Sequence, residues 1–501
     1  MSDALTGADQ ERRGESRRSP RPAGRWNWGW VVGGVLALAV IGWWLTSATS
    51  TNSQQSASAA LTTGATASGC SGGPMFYVAT DGQSGNDGSA ARPWDLQTAL
   101  SNTAGVGPCA TVWLRGGTYK GTFVSSLNGR DGSPVVIRQM PGERATIDSA
   151  PSADPALTVS GSWAWFMDFE IMNSDPTRQS SQNGGWPPDL KRGTGVTARG
   201  SHLKFIGLVV HDLARGFEIG SDSLDTEVYG SLVYYNGWEG PNQTANGHGI
   251  DTHNRVGSRR LIDNVIFGQF SHGIIAYSSE TDPTNNMVVQ GNILFNNGSL
   301  SRGGAERDLL IGGGSVAQQP NVSHNVFYGK AQVALGLGAG CSGGTFTNNY
   351  FGGPFALAGC NGTIENNVFV DAPPALASAH PNNTFISGPP TGLTTRIRPS
   401  PYQAGRASVA ILNWDKRPEV EVDLSKAGLV EGQAFEIRNA HDFYGAAVIT
   451  AVYKGQKFMI PIGSLTVSSP VGSTPSSPVP TGPEFAALLV IPTAPSSPTT
   501  K

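Results

Sequence analysis

Charge is scarce in this 501-residue chain: Asp, Glu, Lys and Arg make up only 14% of it, and the formal net charge is −3. So little charge argues against a highly helical protein, and the lack of a basic stripe beyond the N-terminus speaks against a nucleic-acid partner. Cysteine is scarcer still. Cys70, Cys109, Cys341 and Cys360 fall in no CxxC or Cys/His metal spacing, which argues against a zinc site. Four cysteines allow three pairings; Cys70–Cys109 and Cys341–Cys360 are favoured because each is local and the second spans about one repeat. Disulfides imply an oxidising compartment, and four buried thiols are the alternative. What the chain has in excess is Gly (66) and Pro (33), the composition of a turn-dense β protein. Its length exceeds one ordinary domain.

Residues 1–25 are polar and carry Arg12, Arg13, Arg17, Arg18, Arg21 and Arg25. The run from Trp26 to Leu45 has no charged residue and has tryptophans at both ends. About twenty apolar residues span a bilayer as a helix, and Trp favours its interfaces. We therefore expect a single-pass signal anchor over 26–45, with the arginines cytoplasmic and everything after Leu45 outside the cytoplasm. Cleavage near Ala57–Ala59, giving a secreted protein, is the alternative. Residues 46–69 are rich in Ser, Thr and Ala and read as a linker.

Phe76–Asp81 is strand-like, Trp94–Leu100 suits a short helix, and Ala110–Tyr119 and Pro134–Gly142 are strands with glycine punctuation. Beyond them a motif of one polar or small residue followed by three mostly apolar ones recurs. It appears at Asp168–Ile171, Gly207–Val210, Ser231–Tyr234, Asn264–Phe267, Asn292–Phe295, Asn325–Tyr328, Asn349–Gly352 and Asn367–Val370. Repeats at roughly 20–40-residue spacing signal a solenoid. The Asn heading five copies is read as a structural ladder. From about Ala404 the ladder stops, and Ser408–Trp414, Val420–Leu424, Ala434–Arg438, Ala447–Tyr453 and Phe485–Ile491 read as an antiparallel β-sandwich.

The segment FYVATDGQSGNDGSAARPW…VWLRGGTYKG…GSPVVIRQMPGERATID resembles the opening of right-handed parallel β-helix proteins of the pectate-lyase-like superfamily. GQAFEIRNAHDFYGAAVITAVYKGQKFMIPI is similar to the sandwich modules that end many bacterial carbohydrate-active proteins. The expected organisation is all-β: a parallel β-helix over 70–403, a sandwich over 404–493, and a tail over 494–501.

Glycine alignment stacks Arg215–Gly220 over His248–His253 and then over His272–Tyr277. Strand side chains alternate faces, so Phe217, Ile250 and Ile274 should point in with Ile219, Thr252 and Ala276. Glu218 and Asp251 should then point out, one above the other, with His253 beside Asp251. Arg215, His248 and His272 form a second outward column, with Glu306–Asp308 near that level. Three long insertions, Met172–Leu190, Asn236–Asn246 and Asn296–Ala305, should wall a groove over this face.

Trp186 and Trp238 supply apolar platforms suited to sugar rings. Glu218 and Asp251, with His248 and His253 beside them, are the candidate catalytic group, for general acid/base work or calcium ligation. Lys191, Arg192 and Arg307 are the cations that β-elimination at a uronate would need. The resemblance implies a hydrolase, lyase or epimerase acting on an extracellular polysaccharide. The GHG at 247–249 also occurs in polygalacturonases of this fold, but the acidic motifs that accompany it there are missing, as are the clustered calcium-binding aspartates of pectate lyases. The simplest reading is a glycosidase using Glu218 and Asp251. The alternatives are a uronate lyase and a non-catalytic glycan-binding or display protein.

Overall fold

A computed structural model describes residues 70, 72–102, 105–182, 184–303 and 307–493. The apolar run over 26–45 lies outside these residues, as does Glu306. Among the described residues no helix is long and apolar enough to cross a membrane.

Three parallel sheets run the length of the first part of the chain, and successive coils contribute strands to each in turn. The first sheet begins with Met75–Val78 and Thr111–Leu114. The second contains Glu170–Met172, Val209–His211, Leu232–Tyr234, Val265–Phe267 and Ile293–Phe295 in consecutive register. The third contains Thr194–Ala198, Arg215–Ile219, Ile250–Thr252, Ile274–Ser278 and Arg307–Gly313. This is the parallel β-helix expected from the repeats. The interior is one continuous core in which Phe205, Phe217, Ile250, Ile266, Ile274 and Leu294 are fully buried. The expected helix is Leu96–Leu100, capped by Asp95, whose carboxylate accepts from the Thr98 N–H. Trp94 stays outside it and stacks on Phe76.

The asparagines behave as a ladder. Asn264, Asn292, Asn325, Asn349 and Asn367 are each fully buried. Each donates its backbone N–H and side-chain Nδ2 to the Oδ1 of the next asparagine at 2.9–3.0 Å. Each Nδ2 also donates to a backbone carbonyl, as Asn264 does to Val228 at 2.9 Å. Buried amides are costly unless paired, and here their polar atoms are used. The ladder runs one rung further than the repeats indicate, to Asn383. Both expected disulfides are present, and Cys341–Cys360 joins two neighbouring strands at the same register.

The antiparallel sheet that follows has the order Leu393–Pro399, Ala407–Asn413, Phe485–Pro492, Ala434–Asn439, Ile449–Val452. A two-stranded ribbon, Glu419–Val422 paired with Phe458–Pro461, packs against it. Its first strand precedes the change in composition near Ala404, because an edge strand rich in Thr and Arg lacks the apolar run of the central strands. One face of this sheet lies on the second sheet of the helix: Leu412, Phe485, Ala487 and Leu489 meet Tyr234, Phe267, Phe295 and Val326 in a shared apolar layer. Arg406, Arg398 and Arg396 reach Asp168, Asp263 and the Asn348 carbonyl at well-separated points along the helix. The third sheet is left uncovered by this module.

Candidate functional site

The uncovered sheet carries the candidate residues Arg215, Glu218, His248, Asp251 and His253. Its inward residues Phe217, Ile219, Ile250, Thr252, Ile274 and Ala276 are all fully buried, so the intervening side chains face out. Gly216 and Gly249 keep this register: a Cβ at Gly216 would lie 2.4 Å from the Gly249 carbonyl oxygen, and one at Gly249 would lie 2.6 Å from that of Gly273. Glu218 pairs with Asp251 across adjacent strands, as the alignment predicts. Arg215, His248, His272 and Arg307 head consecutive strands, and the backbone N–H groups of Gly216, Gly249 and Gly273 donate to the carbonyls of His248, His272 and Arg307.

One guanidinium organises the centre. Arg215 Nη1 lies 3.2 Å from Glu218 Oε2 and 3.2 Å from Asp251 Oδ2. His253 Nε2 lies 3.5 Å from Asp251 Oδ1. Burial alone would raise the Asp251 pKa, but the His253 hydrogen bond and the Arg215 charge hold it below the usual carboxylate value. Burial would likewise lower the His253 pKa, but the hydrogen bond and charge of Asp251, helped by Asp282, outweigh it and raise the imidazole. His248 goes the other way: burial pushes it down to about 4, and Arg215 adds to the effect against the pull of Asp251. A neutral His248 stacks on His272 at 5.1 Å, and its Nδ1 accepts the His272 backbone N–H at 3.4 Å, leaving Nε2 to carry the proton. The Glu218 side chain is 43% exposed and that of Asp251 18%.

The three insertions do meet over one end of this face. Glu239 accepts from the Arg302 guanidinium and from Ser301, and its backbone pairs with Arg178 and Ser180. Trp186 is 51% exposed; Arg215 lies 5.4 Å from its ring and the Trp238 ring is 6.0 Å away. Three expectations need correction. Trp238 is no exposed platform, because it pairs into the Trp238–Glu239/Ala245–Asn246 ribbon and is buried against Leu190 and Ala214. Arg192 is no groove cation: it is fully buried, and its guanidinium donates to the carbonyls of Asn173, Asp175, Thr177 and Asp212. His272 is buried, with its ring stacked on that of His248. Lys191 is exposed and Arg307 half-buried. Asp308 turns inward to Asn297. Tyr277 was not anticipated. It follows His253 in the same outward column, pairs in register with Gly312, and is 45% exposed; its place two residues after Ile275 in the aligned strand was the available signal.

The donor set does not suit calcium. The space between Glu218 and Asp251 where a cation would bind is taken by Arg215, and among the described residues no group of three or more His, Cys, Asp or Glu is arranged to hold a metal. The polar atoms left without partners near the site include N–H donors, Arg215 Nε, Arg307 Nε and Trp238 Nε1.

Coils and ladder together form a parallel β-helix, with an antiparallel β module at its C-terminal end. No family model matches the chain. It is 24% identical over 299 residues to pectate lyase L of Dickeya dadantii (strain 3937), an alignment covering 46% of this chain and 67% of that protein. Among solved structures it is similar to the pectate lyase Pel9A, with a TM-score of 0.42 at 21% identity, covering 61% of this chain and 80% of that one. It is also similar to a rhamnogalacturonan lyase, with a TM-score of 0.40 at 15% identity, covering 56% and 75%.

Proposed function

We propose that this protein cleaves an acidic, uronate-bearing polysaccharide by β-elimination on the uncovered sheet. The observation that carries this reading is the single guanidinium shared by Glu218 and Asp251. A glycosidase pair needs one carboxyl kept protonated as the acid. Here one guanidinium pairs with both carboxylates, so neither is set apart as the acid, which weighs against the acid/base split expected from the sequence. β-Elimination needs instead a base for the proton next to the uronate carboxylate, a cation for the charge that develops there, and a proton for the departing glycosidic oxygen. Glu218 is the exposed base, Arg215 and Arg307 receive the sugar carboxylate, and His253, its pKa raised by Asp251, supplies the proton. Trp186 stacks a neighbouring sugar ring. The sequence match to pectate lyase L supports elimination over hydrolysis.

The protein works outside the cytoplasm, held by its N-terminal apolar run; the two disulfides support an oxidising surrounding. The test is a panel of acidic and neutral polysaccharides incubated with the full chain. Ultraviolet absorbance from unsaturated uronate ends is expected with an acidic substrate, and it should be lost in Glu218→Gln. Reducing ends without that absorbance would restore the glycosidase reading, and binding without any product would make the chain a glycan-binding protein.

A further inference from the structure

A cavity of about 370 Å³ lies away from the third sheet, where the edge strand Leu393–Pro399 of the antiparallel module runs along the helix turns. That volume falls within the ~300–1,000 Å³ common to small-molecule sites. Its charged lining is Arg396, Arg398, Lys426 and Asp423, with His324 and Ile397 beside them. Arg398 is neutralised by Asp263 at 2.7 Å. Asp423 accepts the Ser425 N–H at 2.9 Å, and that contact, with the charges of Lys457 and Lys426, lowers its pKa. Arg396 forms no ion pair among the described residues; its guanidinium donates only to the Asn348 carbonyl at 2.8 Å. Burial lowers its pKa, Tyr350 opposes that, and neighbouring Arg398 adds to it. His324 is lowered too, by burial and by the same two arginines. A concave, partly desolvated surface is therefore left with the Arg396 guanidinium lacking a carboxylate partner, beside an imidazole whose pKa burial lowers. Such a surface concentrates anions.

We propose that this cavity is a second, non-catalytic site that binds the carboxylate of an acidic sugar, with Arg396 and Lys426 as its anchors and Ile397 as an apolar contact for the ring. It would hold an acidic chain at a distance from the cleaving face, and it does not require that face to be catalytic.

The test is calorimetric titration of the full chain carrying Arg215→Ala and Arg307→Ala, which together remove the anion-receiving groups of the other face. Trigalacturonate, a neutral trisaccharide and inorganic phosphate are the probes. The proposal expects trigalacturonate to bind and the neutral trisaccharide not to. It also expects Lys426→Glu, an exposed change that leaves the arginine contacts intact, to weaken trigalacturonate at least tenfold, and Arg396→Gln to weaken it further. Binding of trigalacturonate that is indifferent to Lys426→Glu overturns the assignment. So does absence of binding by all three probes, and phosphate binding without trigalacturonate binding overturns the sugar as ligand.

Discussion

Two outward surfaces of the same solenoid carry nearly the same chemistry and have opposite fates. On the second sheet, Glu170 accepts from Arg144 at 2.9 and 2.6 Å, from Thr146 and from His211 at 2.8 Å. The other nitrogen of His211 meets Asp212 at 2.8 Å, and Asp212 takes Arg178 and the Val471 N–H, both at 2.9 Å. The antiparallel module seals this group: the Tyr444 ring lies 3.5 Å from the Arg144 guanidinium, and Tyr234 stacks on His211. On the third sheet, Glu218, Asp251, His253 and Arg215 repeat the residue types, but nothing from that module lies over them. A carboxylate–histidine–arginine group is cement when every lone pair is filled beneath a cover. It becomes a site when the cover is missing and donors are left over.

The strongest way to break this contrast is to remove one member of the covered group. His211→Ala leaves the Glu170 and Asp212 charges buried with fewer partners and should cost about 3–5 kcal/mol in denaturant unfolding. A loss no larger than that of an exposed substitution would end the distinction. Arg215→Ala should do the reverse, lowering kcat/KM by about 10²–10³ while changing stability by less than about 1 kcal/mol; initial rates and melting curves on one preparation decide.

The pH dependence sharpens the contrast further. Burial would lower the His211 pKa, but Asp212 and Glu170 raise it from 6.5 to about 9. Burial would raise that of Glu170, but His211, Arg144 and Thr146 hold it at about 2 against an ordinary 4.5. The raised histidine contributes stability that is complete below pH 6.5 and lost as pH climbs through 9. The depressed glutamate contributes stability that is complete above pH 4.5 and lost as pH falls through 2. Thermal melting should therefore show a plateau between about pH 4.5 and 6.5 from these two groups, and His211→Gln should flatten the alkaline limb. The smallest effect expected is that of Trp186→Ala. Losing an exposed ring should weaken substrate binding by about 0.5–1.5 kcal/mol, seen as a raised KM with the fold unchanged.

The strand alternation was readable from residues alone because glycine positions align the coils. That alignment gave the Glu218/Asp251 pair, the inward Phe217, Ile250 and Ile274, and the strand-start column of Arg215, His248 and His272. The asparagine ladder was readable because the same residue recurs at the same point of each coil. What could not be read was cover. Period-two alternation says which way a side chain leaves its strand, not what lies over it afterwards. For that reason Trp238 and Arg192, placed outward by their loops, are buried by neighbouring insertions, and His211–Asp212 went unnoticed beneath a module more than two hundred residues away in sequence.

The asparagine ladder also bears on how such a protein can change in evolution. Each rung offers the same plug on one side and the same socket on the other: two donors toward the next Oδ1, and one Oδ1 for the rung before. A coil duplicated or deleted between Asn264 and Asn367 would find matching sockets above and below. The third sheet could then be lengthened or shortened in steps of about 4.8 Å, one strand spacing, without orphaning an amide. The length of that exposed face is in this sense a countable trait, adjustable by whole coils while the side chains around Arg215 stay where they are.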